Sequence, residues 1–487
     1  MSADRLNLLS FSGKMKILHM TWVAFFISFV IWFNFAPLTE AVRVTFDLDK
    51  SQISTLLILN VALTIPARIL IGALTDRFGP QKVYSGLLAF SAVPCLAFAF
   101  ADNFTQLAIA RFALGFVGAG FVVGIRMVSE WFPPNEVGTA EGIYGGWGNF
   151  GSAAAAFTLP SIALIFGGDE GWRYAIALTG LVALAYSFVY YRNVSDAPEG
   201  SRYFKAKQTR AMEVTSKGDF FLLLIMKAPL QIALGILAWR LERVGLISEP
   251  VQYAIWLLLA AYYAFNAWQA YEVNKSVFTE EVPLIHRYKF KQVAALNFLY
   301  AATFGSELAV VSMLPLFFAE TFGLSPVLAG MVASGYAFMN LVSRPSGGVF
   351  SDRFGRRLTM IVLMAGVVVG YLLMAMVGSS WPVFLAVAVA MLCSFFVQAG
   401  EGAVFAMVPL IKRRLTGQIA GLTGAYGNVG AVVFLVIYSM VPAAAFFLVL
   451  AATALVGLAC SFLLEEPRGE IAEINEDGTV TMIAVSA

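Results

Sequence analysis

Apolar stretches long enough to cross a hydrocarbon core, which takes about 20 residues, alternate with short polar segments along most of the chain. They predict helical spans near 17–38, 53–75, 83–101, 105–128, 140–166 and 172–191, and a second set near 292–318, 328–350, 358–378, 381–411, 417–441 and 443–464. Between the sets, the polar and basic segment 192–218 leads into two further apolar stretches, near 219–239 and 251–270, before a second polar linker. The expected organisation is a six-helix bundle over 1–195, a central linker with two additional hydrophobic segments over 196–290, a second six-helix bundle over 291–466 and a polar tail over 467–487. The fold class expected is an all-α polytopic membrane protein with two pseudo-symmetric six-helix bundles. The additional pair is expected to cross the membrane. The alternative, lying in the interface, arises because a crossing leaves Arg240 and Arg243 on the outer side, and Lys227 with Pro229 makes the first stretch irregular.

Short loops set the orientation. Arg77 and Lys82, then Arg353, Arg356 and Arg357, then Lys412, Arg413 and Arg414 fall on one side, with Lys14, Lys16 and the 202–210 linker. Loops such as "ADNF" and "VGSSW" on the other side carry almost no cations. By the positive-inside rule both termini are expected in the cytoplasm. The 129–141 loop dissents, with three glutamates and no Lys or Arg.

The halves repeat. "RILIGALTDRFG" (68–79) aligns with "RPSGGVFSDRFG" (344–355) at an offset of 276 residues, 68 to 344. "GIYGGWGNFG" (142–151) aligns with "GLTGAYGNVG" (421–430) at an offset of 279, 149 to 428, so that Gly142, Gly145, Gly148 and Gly151 answer to Gly421, Gly424, Gly427 and Gly430. Duplicated halves are one transporter plan, with the substrate site at mid-membrane between them.

Composition narrows the function. Of the 487 residues 59% are hydrophobic and 13% charged, against about 25% charged in soluble domains, and the mean hydropathy is +0.78. The lipid bilayer is therefore a partner. A net charge of +2 implies no nucleic-acid partner. Cys95, Cys393 and Cys460 are scattered, and His19 and His286 lie far apart, so neither a disulfide, a metal site nor a cofactor is indicated. The N-terminal "MSADRLNLLSFSGKMK" is polar and leads into a full-length span, which does not read as a cleavable signal. No nucleophile–base arrangement or phosphate loop is present, so the chain reads as neither an enzyme nor an ATP-driven pump.

The chemistry lies in polar residues inside the spans. Arg68 and Arg344 sit mid-span, where an arginine costs at least ~2.5–3.5 kcal/mol on insertion scales and cannot shed its proton. Each must face an internal cavity and find an anion, either a substrate or a buried carboxylate. Their symmetric placement favours one central anion, and opposed guanidinium groups suit a small planar oxyanion such as nitrate, nitrite, bicarbonate or a carboxylate. Glycines three apart let a neighbouring helix approach closely. Asn149 and Asn428 are read as donors to substrate, with an interhelical hydrogen bond as the alternative. Tyr300, Phe304 and Glu307 share one helical face, which puts a carboxylate beside the anion site. Glu401 is a second acid within a span. Arg126 is expected to pair with Glu130 one turn on, or with Glu307 or Glu401 across the bundle.

"GxxxDRxG" after the second and eighth spans resembles the loop signature of the major facilitator superfamily. That resemblance makes Asp76, Arg77, Asp352 and Arg353 gate or structural residues. "GGWGNFG" and "GAYGNVG" resemble the nitrate signatures of the nitrate/nitrite porter (NarK-type) family within it, and "LYAATFGSELAV" (299–310) is similar to that family's seventh span. The resemblance covers the twelve core spans but not 219–270. It implies that Arg68 and Arg344 clamp nitrate, that Tyr300 and Phe304 contact it, and that Phe29 and Phe121 form aromatic walls. The "GxEL" at Glu307 and the "AEGA"-like stretch at Glu401 resemble the algal, fungal and plant carriers, which are proton symporters, and the exchanger branch tends to lack the acid. The resemblance thus implies a monomeric, multi-pass carrier of the bacterial inner membrane that imports nitrate, and nitrite as well, with protons by alternating access. Nitrate/nitrite antiport on the same site is the rival, and a carrier of another small anion or organic acid the more distant one.

Overall fold

The computed structural model describes residues 7–466 except 133, 169, 199–210, 281, 283–286 and 413–414, together with 470–474 and 480–484. The 202–210 linker, His286, Arg413 and Arg414 lie outside the described residues, as does the side chain of Asp76. Among the described residues, thirteen helices are long and apolar enough to cross a membrane. Twelve form the core: span 1 Gly13–Phe46, span 2 Lys50–Thr75, span 3 Pro80–Ala99, span 4 Phe104–Trp131, span 5 Gly138–Phe166, span 6 Gly171–Asn193, span 7 Phe290–Phe322, span 8 Pro326–Phe354, span 9 Arg356–Ala375, span 10 Val383–Val408, span 11 Gln418–Tyr438 and span 12 Ala443–Ser461.

Their starts carry ordinary helix chemistry. Asp49 and Gln52 form a capping box at span 2, the Asn103 side chain caps span 4, and Ser325 followed by Pro326 opens span 8. The repeated "DRFG" loops turn on Gly79 and Gly355, at φ of +89° and +91°, a region that favours glycine. Behind each turn a carboxylate accepts from the first amides of the next span. Asp196 takes Gln81 N–H at 2.8 Å, and Glu466 takes Arg356 and Arg357 N–H at 3.0 and 2.9 Å, where helix-end charge favours an anion.

Spans 2 and 8 are each interrupted at the same place. One helical segment ends at Ala62 and the next starts at Thr64; one ends at Phe338 and the next starts at Asn340. The interruptions, Leu63 and Met339, stand 276 residues apart, the same offset as the arginines. Broken helices belong at a buried site because neighbours re-satisfy the freed backbone groups.

Of the two inserted segments, Lys217–Arg243 is one of the 13 candidate spans, whereas Glu249–Asn274, 26 residues long, is not. The two nevertheless lie side by side and antiparallel: Trp256 donates to the Gly235 carbonyl at 2.9 Å, Tyr263 to that of Leu224 at 3.0 Å, and Phe220 meets Tyr271. Tyr426 of span 11 donates to the Met226 carbonyl at 2.7 Å, and Arg240 to that of Ser51, in the first turn of span 2, at 3.2 Å. The first inserted helix therefore lies against both halves. In the tail, Glu470–Ile474 pairs antiparallel with Val480–Ala484, where the sequence reading has only a polar tail. The Asp477–Gly478 pair between the strands is a hairpin signal it did not use.

Candidate functional site

Arg68 and Arg344 are each the fifth residue after the interruption in their span, and both are fully buried. Each reaches into the opposite half. Arg68 Nη1 donates to the carbonyl of Gly424, in the repeated glycine segment of span 11. Arg344 lies against Gly145, the equivalent residue of span 5. A β-carbon on Gly145 would stand 2.8 Å from Arg344 Nε, and one on Gly424 would stand 2.9 Å from Arg68 Nη1. The bare backbone of each half is thus the seat of the other half's guanidinium.

The next glycines along seat rings. Gly148 lies against Phe25 of span 1, and Gly427 against Phe304 and Tyr300 of span 7, where an added β-carbon would meet them at 2.6 and 2.9 Å. At the start of the repeat the halves differ. Gly142 abuts the Pro345 backbone, 3.2 Å from an added β-carbon, whereas nothing lies within 4 Å of one on Gly421.

Two rings are shared between the arginines. Phe121 lies 5.3 Å from the Arg68 guanidinium carbon and 5.4 Å from that of Arg344; Phe304 lies at 5.2 and 5.7 Å. Cation–π attraction of this kind contributes on the order of 1–2 kcal/mol when desolvated. Tyr300 stacks on Phe304 at 4.9 Å and accepts from Arg344 Nη2 at 2.9 Å. Phe405 sets its edge against both Phe121 and Tyr300, and sequence reasoning had not included it. Phe29 packs on Phe25, Trp32 and Phe33, one turn from the span 1 ring that answers to Phe304, so Phe25 occupies the position expected of Phe29.

The acids are not shared. Glu401 Oε2 pairs with Arg344 Nη1 at 2.7 Å, both fully buried, so this arginine takes the alternative of an internal ion pair. Glu307 Oε1 accepts from Asn340 Nδ2 at 2.5 Å and Gln398 Nε2 at 3.1 Å, and its carboxyl neighbours that of Glu401. Arg68 has no carboxylate partner among the described residues, and its Nε and Nη2 make no hydrogen bond among them. Those two atoms form the side-on edge of the guanidinium, the fork that binds a planar oxyanion through two parallel N–H donors.

Buried arginines need not be open in this way. Arg111 of span 4 donates to the Trp32 carbonyl at 2.9 Å and to Asn34 Oδ1 at 3.2 Å, bracing span 1 where its first helical segment ends at Trp32. Asn149 is buried with both amide atoms unpartnered among the described residues; Asn428 donates to its own helix at Gly424 O (3.2 Å), its Oδ1 unpartnered. Arg126 pairs with Glu130 at 2.8 Å, the first of the partners expected for it. At the loops, Asp352 pairs with Arg356 at 3.2 Å, and a β-carbon on Gly138 of span 5 would stand 3.3 Å from it. Arg77 and Arg353 are exposed, each over the ring that follows it, Phe78 or Phe354. One buried acid escaped the sequence reading: Glu141 of span 5, which lines a small cavity with Arg344. Its signal, an acid one residue before the first repeated glycine, was read there as loop charge.

Comparison with known proteins places this arrangement. The model of the Major Facilitator Superfamily matches residues 21–306 and 293–484. The chain is 50% identical to the nitrate/nitrite transporter NrtP of Picosynechococcus sp. and to that of Nostoc punctiforme, with 96% of this chain and 96% of the relative covered in each case. It is 27% identical to the high affinity nitrate transporter 2.7 of Arabidopsis thaliana over 87% of this chain and 77% of that one. Among solved structures, the human organic anion transporter MFSD10 (TETRAN) matches with a TM-score of 0.60 at 14% identity, covering 92% of this chain and 100% of that one, a likeness of fold. Twelve core spans in duplicated halves, paired buried arginines seated on repeated glycines and these similarities together show that the chain, a multi-pass membrane protein and not an enzyme, belongs to the nitrate/nitrite porter family of the Major Facilitator Superfamily.

Proposed function

We propose that this protein imports nitrate, with nitrite as a further substrate, by alternating access in symport with protons, working as a monomer in a bacterial inner membrane with both termini in the cytoplasm. The observation that carries the anion site is the side-on edge of Arg68, buried, charged and without a carboxylate. A planar oxyanion of one negative charge accepts two N–H bonds there and supplies the counter-charge that no carboxylate among the described residues gives Arg68. Arg344 completes the clamp from the other half, and Asn149 offers a further donor. Phe121, Phe304 and Tyr300 close the space around the anion, and because the two phenylalanines touch both arginines, binding in the clamp draws the halves together. Asp352 and Arg353, with Asp76 and Arg77, act at the cytoplasmic loops as the halves rock. Glycine-backed seats suit that motion, since the contact involves no side chain on the receiving helix.

Proton coupling follows from energetics. Moving one negative charge inward against 100 mV costs about 2.3 kcal/mol. One proton cancels that charge and a further one makes entry favourable. Glu307 is the leading carrier, since its carboxyl takes two amide donors and makes no direct ion pair among the described residues, with Glu401 beside it as its partner. The test is nitrate uptake into proteoliposomes free of internal nitrite, with and without an inward proton gradient, for the parent and Glu307→Gln. Gradient-dependent uptake that fails in the variant is expected. Uptake that requires internal nitrite and ignores both gradient and substitution would make the protein an antiporter.

A further inference from the structure

Glu141 lies in span 5 on the turn between Gly138 and Gly142, and it is 4% exposed. Its carboxyl makes no hydrogen bond or ion pair among the described residues, and Oε1 is sealed from solvent. It lines a small cavity with Arg344 of span 8, under the rings of Phe121 and Phe405 and beside the bare backbone of Gly142 and Gly402. A carboxyl held away from water without a partner is costly, and packing gains nothing from one here. Among the described residues, several charged groups of the surrounding helices are committed elsewhere. From span 4, Arg126 is held by Glu130; from span 10, Glu401 by Arg344; from span 1, Lys14 by Glu136, while His19 accepts from Trp22; and Asp352 of span 8 is tied to Arg356. Among the described residues, Arg344 is the one cation lining the cavity.

The charges of the site give this acid a task. Two guanidinium groups share the rings of Phe121 and Phe304, and among the described residues a single carboxylate, Glu401, pairs with one of them, Arg344. In the empty carrier an ionised Glu141 offsets the remaining positive charge. Nitrate in the clamp supplies that charge itself and repels a second anion lining the same space, so the acid is neutral when the clamp is full. Nitrate and a proton then bind together, each favouring the other by the same coupling free energy.

We propose that Glu141 is a second proton-carrying residue of the transport cycle, distinct from the Glu307–Glu401 pair. The proposal rests on the symport reading above and adds to it the proton that makes entry electrogenic. Nitrate enters with one proton on the paired acids and one on Glu141; both leave on the inner side, and the carboxylate re-forms against the arginines as the empty carrier returns.

The test compares the parent with Glu141→Gln and Glu141→Asp in nitrite-free proteoliposomes, with the potential and the pH gradient imposed separately. The parent is expected to take up nitrate faster under either force. Glu141→Gln should still respond to the pH gradient but lose its acceleration by an inside-negative potential, its cycle having become electroneutral. Glu141→Asp, which keeps an acid, should retain that acceleration. The Gln and Asp variants behaving alike, whether both are potential-driven or both inactive, overturns the proposal, because the carboxyl is then not what matters. A parent that ignores both forces overturns the symport reading itself, a result distinguishable from failure at Glu141 alone.

Discussion

Arg68 and Arg344 occupy equivalent places on two broken helices, each resting on the third-from-last glycine of the other half's repeat. Beyond that they live differently. Arg344 is bound to Glu401 and Tyr300, whereas Arg68 keeps its side-on edge open. The acids have no duplicate either. At the 279-residue offset that matches Phe25 with Phe304, Glu307 answers to Ser28 and Glu141 to Ala420. What the duplication preserved is the geometry that would hold an anion between the halves. What it did not preserve is the set of groups able to carry protons. On the proposed reading, symmetry serves binding and rocking, and asymmetry serves coupling.

The largest effects should come from the arginines. Arg68→Lys retains the charge but loses the two-donor edge, and hydrogen bonds to charged groups contribute about 1.5–3 kcal/mol each. Apparent nitrate affinity should fall on the order of 100-fold, read from the concentration dependence of uptake. Arg344→Lys should fall less, because Glu401 already engages that side chain. The reverse order would make Arg344 the main anchor and undo the comparison.

Glu401→Ala should come next, and its effect is on stability. It strands a buried guanidinium, which costs about 3–5 kcal/mol, so the melting temperature in detergent should drop sharply, and added nitrate should restore part of it by taking the vacant place beside Arg344. The N-terminal half offers no equivalent ion pair to break, since Arg68 has no carboxylate partner among the described residues.

The glycine seats give a matched pair with an internal control. Gly145→Ala and Gly424→Ala each drive a methyl group against a guanidinium, and overpacking of this kind costs about 1–3 kcal/mol. Both should weaken uptake roughly 10- to 100-fold. Gly421→Ala, with open space around it, should leave uptake near the parent level. Equal losses at all three would mean that the repeat serves general helix packing rather than the arginines.

Much of this was legible in the sequence. The pattern of the twelve core spans, the 276- and 279-residue offsets and the burial of the two arginines are local signals, and each lands where periodicity and composition put it. What was not legible depends on which helix meets which. Nothing in "GIYGGWGNFG" says that Gly145 receives Arg344 rather than any other neighbour. Phe25 and Phe29 both lie on one apolar helix, and only its crossing with span 5 chooses between them. Glu141 stood in what read as a loop until the helix proved to begin at Pro134. Glu401 and Arg344 are 57 residues apart, and that ion pair is tertiary information.

The asparagines offer the finest test of the comparison. Asn149 has neither amide atom partnered among the described residues, while Asn428 spends its Nδ2 on its own helix. A buried amide without a bond carries an unrecovered desolvation cost of about 1–3 kcal/mol, which a functional residue recovers only when its ligand arrives. Asn149→Ala should therefore leave the melting temperature of the nitrate-free protein unchanged or raised, yet lower nitrate affinity about fivefold, the loss of roughly one hydrogen bond of ~1 kcal/mol. Asn428→Ala should do less to affinity and more to stability, because one of its bonds is already made without substrate. A nitrate titration of melting temperature reads both quantities in one measurement. Should Asn149→Ala instead lower the stability of the empty protein and spare affinity, the amide serves helix packing. The N-terminal half would then contribute its arginine, its rings and its glycine seat to the clamp, but not its amide.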